Sequence, residues 1–226
     1  PFQAYQATRY VDTAIPHIPV TAHGLKENGY ATIATTNWLP YSWSINNVAF
    51  AEVMHTALSY FQAGRADAGY KLLKSSVLDG MYLGDSPGNF GQISFYDAAR
   101  GECYRDFGDP IGVASRVLIQ GLFGILPDAL NKQIILRPGF PADWDKASVS
   151  TPDISYRFTR KEDTDTYHIT QRFQTPLHPV LQINARKEKI RSVKVNDVPA
   201  TWQSIESAHG YPLLSIQAEG TSSTTI

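Results

Sequence analysis

Residues 91–144 read GQISFYDAARGECYRDFGDPIGVASRVLIQGLFGILPDALNKQIILRPGFPADW, and this stretch decides the fold. An acidic, aromatic loop holding Phe95, Tyr96, Asp97 and Glu102 comes first, then a helical segment, then a Pro127-Asp128 exit into the strand-type residues 134–136. Asp109-Pro110 is a helix-start signal: an Asp side chain caps free N–H groups, and a Pro at the first helical position lacks only an N–H that needs no partner. From there Val113, Val117 and Leu118 carry the segment to about Ile125. Gly112, Gly121 and Gly124 each cost such a helix about 1 kcal/mol relative to alanine, so close approach to a neighbouring helix is expected to offset them. The order places several carboxylates where a helical layer hands over to a sheet.

Upstream, Val48, Ala51, Met54, Leu58 and Phe61 recur at three- and four-residue spacing, which predicts a helix over 44–64 with Ser44 as N-cap and Gly64 as its stop. His55, beside Met54, reads as an interior residue. A second stripe of Ala66, Tyr70, Leu73 and Val77 ends at Asp79-Gly80. So short a connection forces an antiparallel αα-hairpin. Residues 1–44 show no sustained period and are broken by Pro16, Pro19, Gly24, Gly29 and Pro40, so long connections are expected there. Downstream the period becomes two: 154–160, 166–173, 180–185, 190–195 and 213–217 read as strands separated by turns such as Glu162-Asp163 and Asn196-Asp197. The expectation is an α+β chain, helical over 1–130 and an antiparallel β-sandwich over 131–226.

Bulk composition limits the function. The 226 residues are 42% hydrophobic and 18% charged, with a net charge of −1. That suits a globular core and leaves no cationic surplus for a nucleic acid or an anionic membrane, so neither is expected as a partner. No run of 18 apolar residues exists to span a bilayer. Cys103 is the single cysteine, which excludes an intrachain disulfide and a thiolate zinc set. The six histidines lack metal-ligand spacing, so no metal and no cofactor is expected. Aromatics reach 12%, with four Trp and twelve Tyr, more than a small core needs. The opening at Pro1 leads us to expect a preceding segment.

The helical hairpin, the acidic loop, the exit phrase GLFGILPD, the strand IILRPGFPADW and the strand-rich tail together resemble the C-terminal end of six-hairpin glycosidases. The nearest type is α-L-rhamnosidase-like, with its gut-bacterial relatives. There an inward acid follows a Gly-small-Thr-Thr-aliphatic-Trp phrase; here Gly91 to Tyr96 stand in its place and Asp97 takes the acidic position where the family has Glu. Gly124, Ile125, Pro127 and Asp128 match the helix exit. The resemblance implies the last helices of an (α/α)6 six-hairpin barrel followed by the sandwich. It also implies a carbohydrate substrate, a periplasmic or extracellular location, and a missing N-terminal barrel portion, or another chain, that covers the helices and supplies the general acid.

Glycoside hydrolysis needs two carboxyl groups, one to protonate the leaving oxygen and one to activate water or attack the sugar. Asp85, Asp97, Glu102, Asp106 and Asp109 lie between the second and third helices. Asp97, after Phe95-Tyr96, is the first candidate for general base in an inverting mechanism and Glu102 the second; Asp109 is accounted for by capping. Sugar rings pack their C–H faces on aromatic planes, so Trp38, Tyr41 and Trp43 in NWLPYSW, with Asn46 beside them, are candidate substrate contacts. Tyr82 and Tyr96 are candidates for the same reason. The alternatives are a carbohydrate-binding or inactive relative that holds sugar without cleaving it, and a glycoside phosphorylase, for which only Arg100 and Arg105 are at hand to hold phosphate.

Overall fold

The structure, a computed structural model, describes residues 2–38, 45, 47–83, 95–97, 103–104, 108–207 and 212–226, with 95–97 and 103–104 described in their backbone alone. It divides into two compact units, Phe2–Leu122 and Phe123–Ile226.

The first unit runs α1 (Phe2–Ala14), β1 (His17–Pro19), β2 (Ala31–Ile33), β3 (Asn47–Ala49), α2 (Phe50–Gln62), α3 (Ala66–Val77), β4 (Phe95–Asp97), β5 (Cys103–Tyr104) and α4 (Asp109–Arg116). Helix α2 is the hub, because it buries Phe50, Val53, Met54, Ala57, Leu58 and Phe61 while α1, α3 and α4 all pack against it. The Phe61 ring is seated between two glycines. A Cβ on Gly69 of α3 would come within 3.1 Å of that ring, and one on Gly121 within 2.6 Å, so both neighbours approach only because those positions lack side chains. Burying a phenylalanine this way contributes roughly 2–3 kcal/mol. The buried stripe of α3 is therefore Gly69, Leu72, Leu73 and Ser76, rotated from the expected Ala66, Tyr70, Leu73 and Val77. Both α3 and α4 end in π-helical turns, Leu78–Leu83 and Val117–Leu122.

Helix α1 occupies a stretch expected to be loop. Its pattern is weak because Thr8 is its one buried residue among those described, and polar bonds hold it instead. The Tyr60 hydroxyl donates to Asp12 Oδ1 at 2.6 Å, with the Thr8 carbonyl 3.3 Å away. Arg65 pairs with the other Asp12 oxygen and lies 4.8 Å over the Tyr60 ring and 5.5 Å over that of Tyr5. Burial, and then the hydrogen bond to Asp12, push the Tyr60 hydroxyl well above its ordinary pKa.

The second unit runs β6 (Ile125–Asp128), β7 (Gln133–Leu136), β8 (Lys146–Ser150), β9 (Ile154–Lys161), β10 (Thr164–Gln171), β11 (His178–Asn184), β12 (Val193–Val195), β13 (Val198–Ala200), β14 (Gln203–Ile205), β15 (Leu213–Gln217) and β16 (Ser223–Thr225). One sheet has the order β16-β10-β9-β8 and the other β14-β15-β11-β7-β6, with β12-β13 a separate hairpin. Alternation along the strands puts Tyr156, Phe158 and Ile169 of the first sheet, and Ile134, Leu136, Leu181 and Ile216 of the second, in the core. The Phe140 ring stacks on Phe158 at 5.1 Å and on Tyr156 at 6.1 Å. Gln171, buried, donates to the Leu177 and Thr221 carbonyls and accepts from the Leu177 N–H, closing the turn from β10 to β11.

Two expectations are corrected here. The chain is an α+β mix weighted toward strands, and no (α/α)6 six-hairpin repeat is present among its described residues. A barrel lays hairpin beside hairpin. Here α1, α3 and α4 instead converge on α2, β3 takes the first turn of the expected helix 44–64, and the connection from α3 to α4 carries β4 and β5. The sheets, moreover, are not wholly antiparallel: β11 runs parallel to β7, because β8, β9 and β10 cross to the other sheet between them. Smaller differences follow from local packing. Asp109 is the first residue of α4 rather than its cap, Gly108 holding that place without a side-chain bond. His55 is exposed. Gly124 faces no helix: its φ is +66°, and a Cβ there would lie 1.9 Å from the Arg137 carbonyl oxygen.

Candidate functional site

Three short strands assemble the region that the sequence singled out. Strand β4 lies between β3 and β5, all antiparallel, in a register that sets Asn47 opposite Asp97, Val48 opposite Tyr96 and Ala49 opposite Phe95. On its other side Phe95 faces Tyr104 and Tyr96 faces Cys103. The apolar phrase Val48-Ala49-Phe50 is fully buried, which explains why it forms a strand that runs directly into α2 instead of a helical first turn. Asn47, also buried, is anchored from a second direction: its carbonyl accepts both from the Thr35 N–H at 2.8 Å and from the Thr35 hydroxyl at 3.0 Å.

The residues on either side of the aromatic phrase are held together. Thr35 and Asn47 are joined, and further along the Ile45 N–H donates to the Trp38 carbonyl at 2.9 Å. These bonds set Trp38 beside Ile45, and Thr35 beside Asn47, the residue opposite Asp97. Asn37 Nδ2 donates to the Tyr10 hydroxyl at 3.0 Å, which ties the residue before Trp38 to α1. Trp38 is 64% exposed and Tyr82, in the π-helical turn after α3, is 63% exposed, so two of the expected sugar contacts are open to solvent.

Of the other candidates, Tyr41, Trp43, Asn46 and Glu102 lie outside the described residues. Asp97 and Tyr96 are placed by their backbone pairing, and their side chains lie outside the description. The sheet therefore pairs 47–49, which follow the aromatic phrase, with 95–97, about fifty residues away in sequence. The link was not legible beforehand, because a three-residue strand before a helix has no period of its own. One further phrase escaped the sequence reading: Gly84-Asp85-Ser86-Pro87-Gly88 has the spacing of a serine nucleophile elbow. It lies outside the described residues, and it follows a helical turn, whereas an elbow needs a strand before it.

Among the described residues no group of three or more His, Cys, Asp or Glu side chains is arranged to hold a metal ion, and no helix is long and apolar enough to cross a membrane. No protein-family model matches the chain, and no curated protein matches it.

Proposed function

We propose that the chain carries the general-base half of a glycoside-hydrolysing site, with Asp97 as first and Glu102 as second candidate for the base, acting on glycosidic bonds of oligo- or polysaccharides. The observation that supports this reading is the β3–β4 register, which sets Asp97 opposite Asn47, just after the aromatic phrase. A sugar subsite requires a plane for the C–H face and an acid or base at the bond to be cut. In an inverting route the Asp97 carboxylate takes a proton from water as that water attacks the anomeric carbon. The C–O bond to the leaving group breaks, and a second carboxyl group, supplied by another portion or chain, delivers its proton to the departing oxygen. This geometry needs the two carboxyl groups roughly 6.5–9.5 Å apart.

The test is aglycone release from a panel of aryl glycosides, beginning with aryl α-L-rhamnosides because of the sequence resemblance. Asp97→Asn is expected to lower kcat by roughly 10²–10⁴ with KM retained and an unchanged unfolding midpoint. Turnover that survives the substitution removes Asp97 from the role. A second reading, sugar binding without cleavage, is favoured by the exposure of Trp38 and Tyr82. It is identified by equilibrium binding of an oligosaccharide that falls with Trp38→Ala while no substrate in the panel is cut.

A further inference from the structure

The second unit holds a small cleft that Asp97 does not explain. It measures about 350 Å³ and is floored by the five-stranded sheet and roofed by the β12–β13 hairpin. On β11, His178 and Val180 share a face by the two-residue period of a strand. The register sets Gln133 of β7 opposite His178 and Gln217 of β15 opposite Val180. Four side chains from three neighbouring strands therefore stand on one patch, on the face turned away from the core residues Leu181 and Ile216.

The roof is held in place by its own turn. Asn196 and Asp197 both take left-handed φ values, 50° and 65°, as a two-residue hairpin turn requires. Its tip is fastened to β16: the Asn196 N–H donates to the Thr225 carbonyl at 2.8 Å, and the Thr225 N–H donates to Asn196 Oδ1 at 2.9 Å. Val195, Val198 and Pro199 present an apolar wall from this hairpin.

The polar groups facing that wall have a definite chemistry. Gln133 and Gln217 make no side-chain hydrogen bond among the described residues, so each carboxamide offers a donor and an acceptor. His178 Nδ1 accepts from the Gly220 N–H at 3.1 Å, which leaves Nε2 of the neutral ring as a donor. Glu219 stands 3.6 Å from the same Nδ1 and is the one acid in the lining. Paired donors and acceptors without a cation suit hydroxyl groups, which both donate and accept, and disfavour phosphate or carboxylate ligands. The volume lies at the small end of the roughly 300–1,000 Å³ typical of ligand pockets.

We propose that this cleft binds a neutral polyhydroxylated ring, one unit of a mono- or disaccharide, with its hydroxyls on Gln133, Gln217 and His178 and its C–H face on the hairpin. The site is independent of Asp97 and stands whether or not the chain cleaves glycosides. The test is saturation-transfer NMR on the full chain carrying Trp38→Ala, which removes the exposed ring of the other candidate sugar site, with glucose, galactose, mannose, rhamnose, maltose and cellobiose at millimolar concentration. At least one sugar is expected to give a signal, and the pair of substitutions Gln133→Leu and Gln217→Leu to weaken its binding roughly tenfold or more. Val198→Trp changes a residue that is 63% exposed, so it fills the cleft without touching the core, and it is expected to abolish the signal even if the double variant does not fold. Asp97→Asn is expected to leave it unchanged. Silence from all six sugars, or a signal that survives Val198→Trp, overturns the proposal, as does one that disappears with Asp97→Asn.

Discussion

Gly112 and Gly124 stand in one phrase of the chain, yet replacing each with alanine has opposite consequences. Gly112 is inside α4 with nothing within 4 Å of where a Cβ would stand, so alanine removes backbone freedom from the unfolded chain and is expected to stabilise by about 0.5–1 kcal/mol. Gly124 combines a φ of +66° with an Arg137 carbonyl oxygen 1.9 Å from where the methyl would go. The Gly124 carbonyl also accepts the Arg137 N–H at 2.9 Å, so the backbone cannot move aside without losing that bond. Alanine there is expected to cost at least about 3 kcal/mol. Urea midpoints of the two variants check both signs, and a neutral Gly124→Ala contradicts the close approach. The sequence marked both residues as costly to a helix, but the pattern does not distinguish a glycine required by geometry from one that is merely present.

At the scale of elements, legibility followed the source of stability. The hub helix α2 and the long strands β9, β10, β11 and β15 were readable because burial of alternating or stripe-forming apolar residues holds them, and burial leaves a period. Helix α1 left no such mark, since it is fastened by Asp12, Tyr60 and Arg65, which are distant in sequence. Likewise β3 and β4 are three residues each, and their pairing is set by tertiary packing that no local pattern encodes. The two candidate clusters were legible, but the pairing of β3 with β4 was not. The polar account of α1 has a measurable consequence. Asp12→Ala leaves Arg65, whose side chain is 15% exposed, without its carboxylate and Tyr60 with the Thr8 carbonyl as its one acceptor, so it is expected to cost about 2–3 kcal/mol. Amide hydrogen exchange across Phe2–Ala14 should accelerate more than across α2. Equal acceleration in both helices, or none, argues that apolar contacts hold α1 after all.

For the molecule as a whole, three buried phenols set how stability varies with alkaline pH. Burial and then the hydrogen bond to Asp12 raise Tyr60; burial and then the charge of Asp165 raise Tyr167; burial and then the neighbouring Tyr167 raise Tyr156. Each titrates near 10 in the unfolded chain and above that in the folded one. A raised folded pKa means the native state retains protons that the unfolded state releases. Stability from these groups is therefore complete below pH 10 and is lost as pH rises beyond it. One such group gives a slope of about 1.4 kcal/mol per pH unit. Phe2–Leu122 holds one of the three and Phe123–Ile226 the other two, so the strand unit should lose stability about twice as steeply. Urea unfolding between pH 9 and 11, followed by tyrosinate absorbance, is expected to show phenols that ionise only as the chain unfolds. Tyr60→Phe should remove that slope from the helical unit and leave the strand unit unchanged. A parent protein whose urea midpoint is level across that range has phenols that ionise in place, which contradicts the packing assigned to all three rings.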